Sequence, residues 1–313
     1  MIISNILRKL SSYLSFWIRD IKKISDTKDL IIRKEIFYKL KQNNTTKKNL
    51  KKTHQIFNKQ IYLLLCKNNL ESFLKESFIQ KMFFLHNRFF VFKELNELKK
   101  SKKWNLYKKL IIEDSIGGPI RYFLYPKSSG NKINHVYHLS VLSKELDIKL
   151  ESIKNVFEFG AGYGCMARIF SKIKRNISYT CFDTYYVNLL QYYYLKHNNL
   201  DVGFSKKNRF LLTFEIKDIN NNKYKNTDLF IANWSLSETP LKFRNKFVNI
   251  LKNSRYVLIC FQEKFEEIDN LKYFNQLKYN LSNNYKIKII RNKFYKGNFI
   301  KKQNHYYFLA KKL

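Results

Sequence analysis

The chain has 313 residues, 45% of them hydrophobic and 17% aromatic, which excludes a disordered chain and supplies a core for one large domain or two ordinary ones. Lys and Arg outnumber Asp and Glu 60 to 24, a formal net charge of +36. The lysines are spread along the whole chain rather than gathered into one basic stripe, which argues against a nucleic-acid partner and fits an anionic substrate.

The four cysteines, Cys66, Cys165, Cys181 and Cys260, stand mostly inside apolar runs and form no C-x-x-C pair. They read as free thiols of a reducing compartment, which places the protein in the cytoplasm without a disulfide framework or a zinc knuckle. No metal site is expected.

From the amino end, Met1 to Lys23 mixes apolar residues with Arg8, Lys9, Arg19 and Lys22. No apolar run there reaches the ~18 residues a bilayer demands. No small-residue cleavage site follows either. Two readings stay open, a helix packed on the rest of the protein and an amphipathic helix in peripheral contact with a membrane. Residues 1–112 read as a helical region for packing or for covering a substrate. Apolar spacings of three and four predict a helix over 55–66, through Ile56, Ile61, Leu64 and Leu65, and two more over 72–81 and 89–98. The polar run 42–53 is a loop or a helix boundary. The aromatic-rich segment 83–92 reads as core.

The pattern changes at Gly117-Gly118-Pro119, the densest turn signal in the chain. After a short helix around 135–146, strand-like runs fall at 154–159, 178–182, 209–216, 227–233, 255–261, 285–291 and 305–310. Helices are predicted between them at 163–174, 185–198, 241–252 and 265–280. Such alternation, with continuous apolar runs in the central strands, predicts a parallel sheet in an α/β fold. The last two runs leave no room for a crossover helix, so they should close the sheet as an antiparallel hairpin.

The strongest chemical signal is Val156 to Phe170, a strand followed by Glu158-Phe159-Gly160-Ala161-Gly162-Tyr163-Gly164 and then a helix. Glycines at such a turn let the backbone approach a ligand. A dinucleotide fold asks for G-x-G-x-x-G. The spacing here is G-x-G-x-G, and Cys165 stands where the third dinucleotide glycine would be. An acid at Glu158 suits a ligand with an ammonium group rather than a pyrophosphate. Asp183 closes the next strand, where a carboxylate can accept two hydrogen bonds from ribose hydroxyls; the alternative is a surface-turn aspartate. Asp218, after the third strand, either meets an adenine amino group or is a solvated loop residue. The fourth strand runs through Asn233 into the polar loop Trp234 to Pro240, at the edge where open α/β sheets bind ligands.

Together these residues resemble the class I S-adenosylmethionine (SAM)-dependent methyltransferases. The resemblance covers about 115–313. It implies a Rossmann-like, seven-stranded sheet, mostly parallel with a carboxyl-terminal antiparallel hairpin, in a domain spanning 113–313. It also implies SAM as cofactor, held by Glu158, Gly160, Ala161, Gly162, Gly164, Asp183, Asp218 and Asn233. A narrower likeness, to bacterial sugar O-methyltransferases, rests on Ile116-Gly117-Gly118-Pro119, INHVYHL at 133–139, EFGAGYG and NWSLSETP at 233–240. It implies methyl transfer to a hydroxyl of a sugar or glycan precursor. Another small-molecule, lipid or RNA acceptor, and a non-catalytic SAM-binding protein, stay open as alternatives. A sugar hydroxyl is barely acidic, so a base should take its proton as the new bond forms. Glu238 is the first candidate, with capping of the helix near Pro240 as its structural alternative. His135 and His138 come next, each with a purely structural alternative.

Overall fold

The computed structural model describes residues 26–42, 52–67, 70–83, 89–219, 224, 226–295, 297–298 and 301–313. The segment Met1–Lys23 and most of the polar run 42–53 lie outside them, as do residues 84–88 of the aromatic-rich segment.

Among the described residues the first elements are helices α1 (Asp26–Gln42), α2 (Lys52–Cys66), α3 (Ser77–Met82), α4 (Phe89–Lys100) and α5 (Trp104–Leu110). A small hairpin, β1 (Arg121–Tyr122) and β2 (Tyr125–Ser129), leads into α6 (Gly130–Glu145). Strand and helix then alternate through β3 (Asn155–Phe159), α7 (Cys165–Ile173), β4 (Ser178–Phe182), α8 (Tyr185–His197), β5 (Val202–Gly203), β6 (Phe210–Thr213), α9 (Ile216–Ile219) and β7 (Leu229–Asn233). Helices α10 (Leu241–Arg244) and α11 (Val248–Asn253) precede β8 (Tyr256–Gln262) and a tight hairpin, β9 (Lys264–Phe265) and β10 (Ile268–Asp269). The chain ends with α12 (Asn270–Leu281), β11 (Tyr285–Arg291), the small pair β12 (Gly297–Asn298) and β13 (Lys301–Lys302), and β14 (His305–Lys312).

Two compact units emerge, each gathered from separate stretches. The first holds residues 1–138, 162–172 and 184–203; the second holds 139–161, 173–183 and 204–313.

In the first unit, α2 buries Phe57, Ile61, Leu64 and Leu65 while Ile56 faces water. The inward stripe therefore runs through Phe57, one place along from the expected residue. Four of the tyrosines of α8 are buried, Tyr185, Tyr192, Tyr193 and Tyr194, and two of them donate to acids of α1. Tyr193 Oη donates to Asp29 at 2.8 Å, Tyr192 Oη to Glu35 at 2.5 Å, and His197 Nε2 meets the same Asp29 at 3.0 Å. Beside them lies an ionic network that no sequence pattern announced. Lys132 Nζ, fully buried, meets Glu113 and Asp114 at 2.8 Å each, and Arg168 grips Asp114 through two nitrogens at 2.8 and 3.2 Å. Removing either sign would leave uncompensated charge in a dry interior.

In the second unit, seven strands pair in the order β11-β14-β8-β7-β3-β4-β6. The five from β8 to β6 are mutually parallel, and β14 lies antiparallel between β8 and β11. This is the Rossmann-like, mostly parallel sheet with an antiparallel close that the sequence leads one to expect. Its core is aromatic: Phe157 stacks on Phe230 at 5.7 Å, and Phe159 meets Phe247 edge-on at 4.6 Å. Two predicted helices differ. The helix expected over 241–252 is broken by a 3-10 turn at Asn245–Phe247, which sets both Phe243 and Phe247 against Phe159. The helix expected from 265 starts at Asn270, because Asp269 caps it by accepting the Lys272 N–H at 2.9 Å. Strands β4 and β6 extend the sheet on one side of β3, while β7 and β8 lie on the other. Strand order reverses between β3 and β7, the point at which such sheets bind ligands beyond their carboxyl ends.

Candidate active site

At that reversal β3 ends in Glu158-Phe159 and turns at Gly160. Glu158 is 2% exposed and accepts the Tyr179 hydroxyl at 2.7 Å. Burial raises its carboxyl to about 8; the Tyr179 bond opposes that rise and the Asp183 charge adds to it. A cation at this carboxyl would recover what burial costs it. Gly160 has φ +70°, and a Cβ there would lie 2.2 Å from the Ser235 Cβ. Its N–H donates to the Phe182 carbonyl at 2.7 Å, tying the turn to the end of β4. Ala161 follows, buried.

Asp183 is the next residue after β4, half-buried, with its N–H on the Thr213 carbonyl at 3.1 Å. Its carboxylate is therefore carried at the same edge as Glu158. Asp218 lies in α9, and its side chain falls outside the described set. Asn233 ends β7, and both atoms of its side-chain amide are shielded from water without a hydrogen-bond partner. A buried amide with neither group satisfied is costly unless a ligand meets it. Trp234 follows at φ +61°, a left-handed conformation that a bulky residue adopts only under constraint. The constraints are visible: its backbone N–H donates to Cys260, and its indole N–H donates to His305 Nδ1 at 2.9 Å.

Glu238 closes the 3-10 turn Ser235–Glu238. Burial raises its carboxyl to about 7, against the Gln262 amide that donates to it at 3.3 Å. It does not cap the following helix, whose N-cap is Pro240 with no side-chain bond. A relay that sequence reasoning missed holds this loop. Ser237 Oγ donates to Gln262 Oε1 at 2.7 Å, and Asn270 donates to the Gln262 carbonyl at 3.0 Å. The buried Arg244 donates to Asn270 Oδ1 at 2.8 Å and to the Ser237 carbonyl at 2.7 Å. Nothing local signals it, since Arg244 stands among Lys242, Asn245 and Lys246 in the same segment.

The second unit thus brings Glu158, Gly160, Ala161, Asp183, Asn233 and Glu238 to one sheet edge. Gly162, Gly164, His135 and His138 belong to the first unit. Gly162 and Gly164 have φ +54° and +93°. His135 Nδ1 donates to the Asn131 carbonyl at 2.8 Å, and burial lowers the ring to about 4. His138 is fully buried, and burial likewise lowers its ring well below the ordinary value. Both rings are neutral at ordinary pH. Among the described residues no three His, Cys, Asp or Glu gather to hold a metal ion, and no helix is long and apolar enough to cross a membrane.

No protein-family model matches the chain, and no curated protein matches its sequence. Solved structures do show similarity. A Thermoplasma acidophilum protein is 14% identical at a TM-score of 0.41, covering 68% of this chain and 98% of that one. Precorrin-6y C5,15-methyltransferase from Geobacter metallireducens is 12% identical at 0.39, covering 56% and 88%. TYW2 of M. jannaschii, in complex with AdoMet, is 17% identical at 0.37, covering 56% and 75%.

Proposed function

We propose that the protein is a cytoplasmic SAM-dependent O-methyltransferase, its cofactor domain within 113–313, acting on a hydroxyl of a sugar or glycan precursor. The observation that carries the cofactor reading is Glu158, a buried acid beside a turn of left-handed glycines at the point of strand reversal. A pyrophosphate would bring negative charge to that acid, whereas the ammonium of SAM brings the positive charge that burial leaves it needing. Gly160, Ala161, Gly162 and Gly164 would line the methionine end. Asp183 would take the ribose hydroxyls, Asp218 the adenine amino group, and Asn233 would offer its unpartnered amide.

SAM supplies a sulfonium methyl group open to direct displacement, so the chain's own task is alignment and proton handling. Glu238, held near 7 in the loop that follows Asn233, is matched to take a proton at neutral pH. His135 and His138, neutral and buried, stand next if Glu238 proves dispensable. The sugar acceptor rests on the resemblance at 116–119, 133–139 and 233–240.

Titration calorimetry with SAM, S-adenosylhomocysteine and NAD tests the cofactor. Binding of the first two and not the third is expected, and NAD binding without SAM binding overturns the reading. Release of S-adenosylhomocysteine across a set of nucleotide sugars, free glycans and RNA tests the acceptor, and methylation of RNA alone would displace the sugar.

A further inference from the structure

The second half of the glycine loop is held by a relay of buried amides. Gln191 Nε2 donates to the Gly162 carbonyl at 2.8 Å, and Asn188 Nδ2 donates to Gln191 Oε1 at 2.9 Å. Both side chains are fully buried, and both come from one face of α8, three residues apart. The orientation of each amide follows from chemistry alone. The Gly162 carbonyl can only accept, so Gln191 must turn its NH2 toward it and its oxygen toward Asn188. Asn188 must then present its own NH2. Its Oδ1 is left buried and without a partner, so the Asn188 amide is set to serve Gln191 at its own cost.

A trans peptide is planar, with its C=O and N–H on opposite sides. Fixing the Gly162 carbonyl therefore also fixes the Tyr163 N–H, facing away from Gln191. With φ at +54°, Gly162 has little steric preference of its own to define that plane. Neighbours close the remaining freedom: Asn131 Nδ2 donates to the Tyr163 hydroxyl at 3.0 Å, and the Gly162 and Gly164 α-carbons face Phe83 and Leu195.

We propose that Gln191, oriented by Asn188, is a positioning residue that sets the Gly162–Tyr163 peptide plane and thereby the affinity of the glycine loop for SAM. This rests on SAM being the ligand of that loop.

Calorimetry with S-adenosylhomocysteine on the full chain tests it. Gln191→Leu should weaken binding about tenfold or more, the scale on which lost supporting partners cost affinity elsewhere. Gln191→Glu separates positioning from packing. A neutral carboxyl donates its O–H to the Gly162 carbonyl, whereas an ionised one repels it. The affinity ratio of this variant to wild type should approach one near pH 6 and open at least fivefold near pH 8. A purely structural role would alter melting temperature but leave the affinity of the folded variants unchanged, and that result overturns the proposal. If Gln191→Leu fails to fold, a pH-independent ratio in Gln191→Glu overturns it just as well. A wild-type chain that binds neither SAM nor S-adenosylhomocysteine overturns the cofactor reading and this inference together.

Discussion

In Glu238 the effect of burial and the proposed role pull in the same direction. Burial holds it near 7, so it is half-ionised where a general base has most use. If it takes the acceptor proton, turnover should rise with pH through about 7, because only the ionised form accepts. Glu238→Gln keeps the shape and the contact with Gln262 but takes no proton, and should lower turnover by about 10²–10⁴-fold. SAM affinity should stay near wild type, and the rise near pH 7 should vanish. Stability gives an independent check. A carboxyl with a folded value above its unfolded one holds its proton more tightly when folded. Its contribution is therefore complete below about 4.5 and is lost as pH rises toward 7, by a few kcal/mol at most. Melting temperature across that window should fall for wild type more steeply than for Glu238→Gln. Unchanged turnover in the variant passes the role to His135 and then His138. Glu238 was legible as a candidate because it follows an apolar strand. Gln262, Ser237 and Arg244, which fix it, were not, since their partners lie 5–26 residues away in sequence.

Among elements, the strand-to-helix turn at Gly160 has the most exacting geometry. Two separate obstacles bar a side chain there, the left-handed φ and the Ser235 Cβ at 2.2 Å from an added methyl. Gly160→Ala should therefore lower the melting temperature and abolish SAM binding. The double variant Gly160→Ala, Ser235→Gly relieves the contact but not the backbone strain, which costs about 1–2 kcal/mol. It should recover part of the stability of the single variant, as thermal melts would show. No recovery would mean that the contact contributes nothing. The strands around this turn were readable because buried parallel strands carry continuous apolar runs. The hairpin of Arg121–Tyr122 and Tyr125–Ser129 was not, having too few residues to show any period. The late start of the helix at Asn270 escaped because an Asp cap is locally indistinguishable from a polar helical residue.

For the molecule as a whole, the chain passes between its two units at 138/139, 161/162, 172/173, 183/184 and 203/204. Segment 184–203 belongs with the amino-terminal helices. Within that unit Tyr193 and His197 share Asp29, Thr184 donates to Asn58, and Tyr185 donates to the Lys39 carbonyl. A fragment of residues 113–313 keeps all seven sheet strands of the second unit yet strips these partners from helix 185–197. Its buried tyrosines would face water, so the fragment should aggregate or melt without a cooperative transition, as circular dichroism and light scattering would report. A soluble, cooperatively melting fragment would show that 1–112 is dispensable for folding.

What the sequence determined by itself is periodic or local. The seven sheet strands of the second unit, the antiparallel close and the glycine turn follow from apolar runs and from spacings of a few residues, whereas the two-residue strand Val202–Gly203 is too short to show one. What only the tertiary structure decided is nonlocal. Which unit each helix joins, the Lys132 network, the amide relay from Asn188 to Gly162 and the constraint on Trp234 all pair residues far apart in the chain. No pattern along one strand or helix encodes such pairings, because a buried polar group is satisfied by whatever partner the packed fold delivers, not by its sequence neighbours.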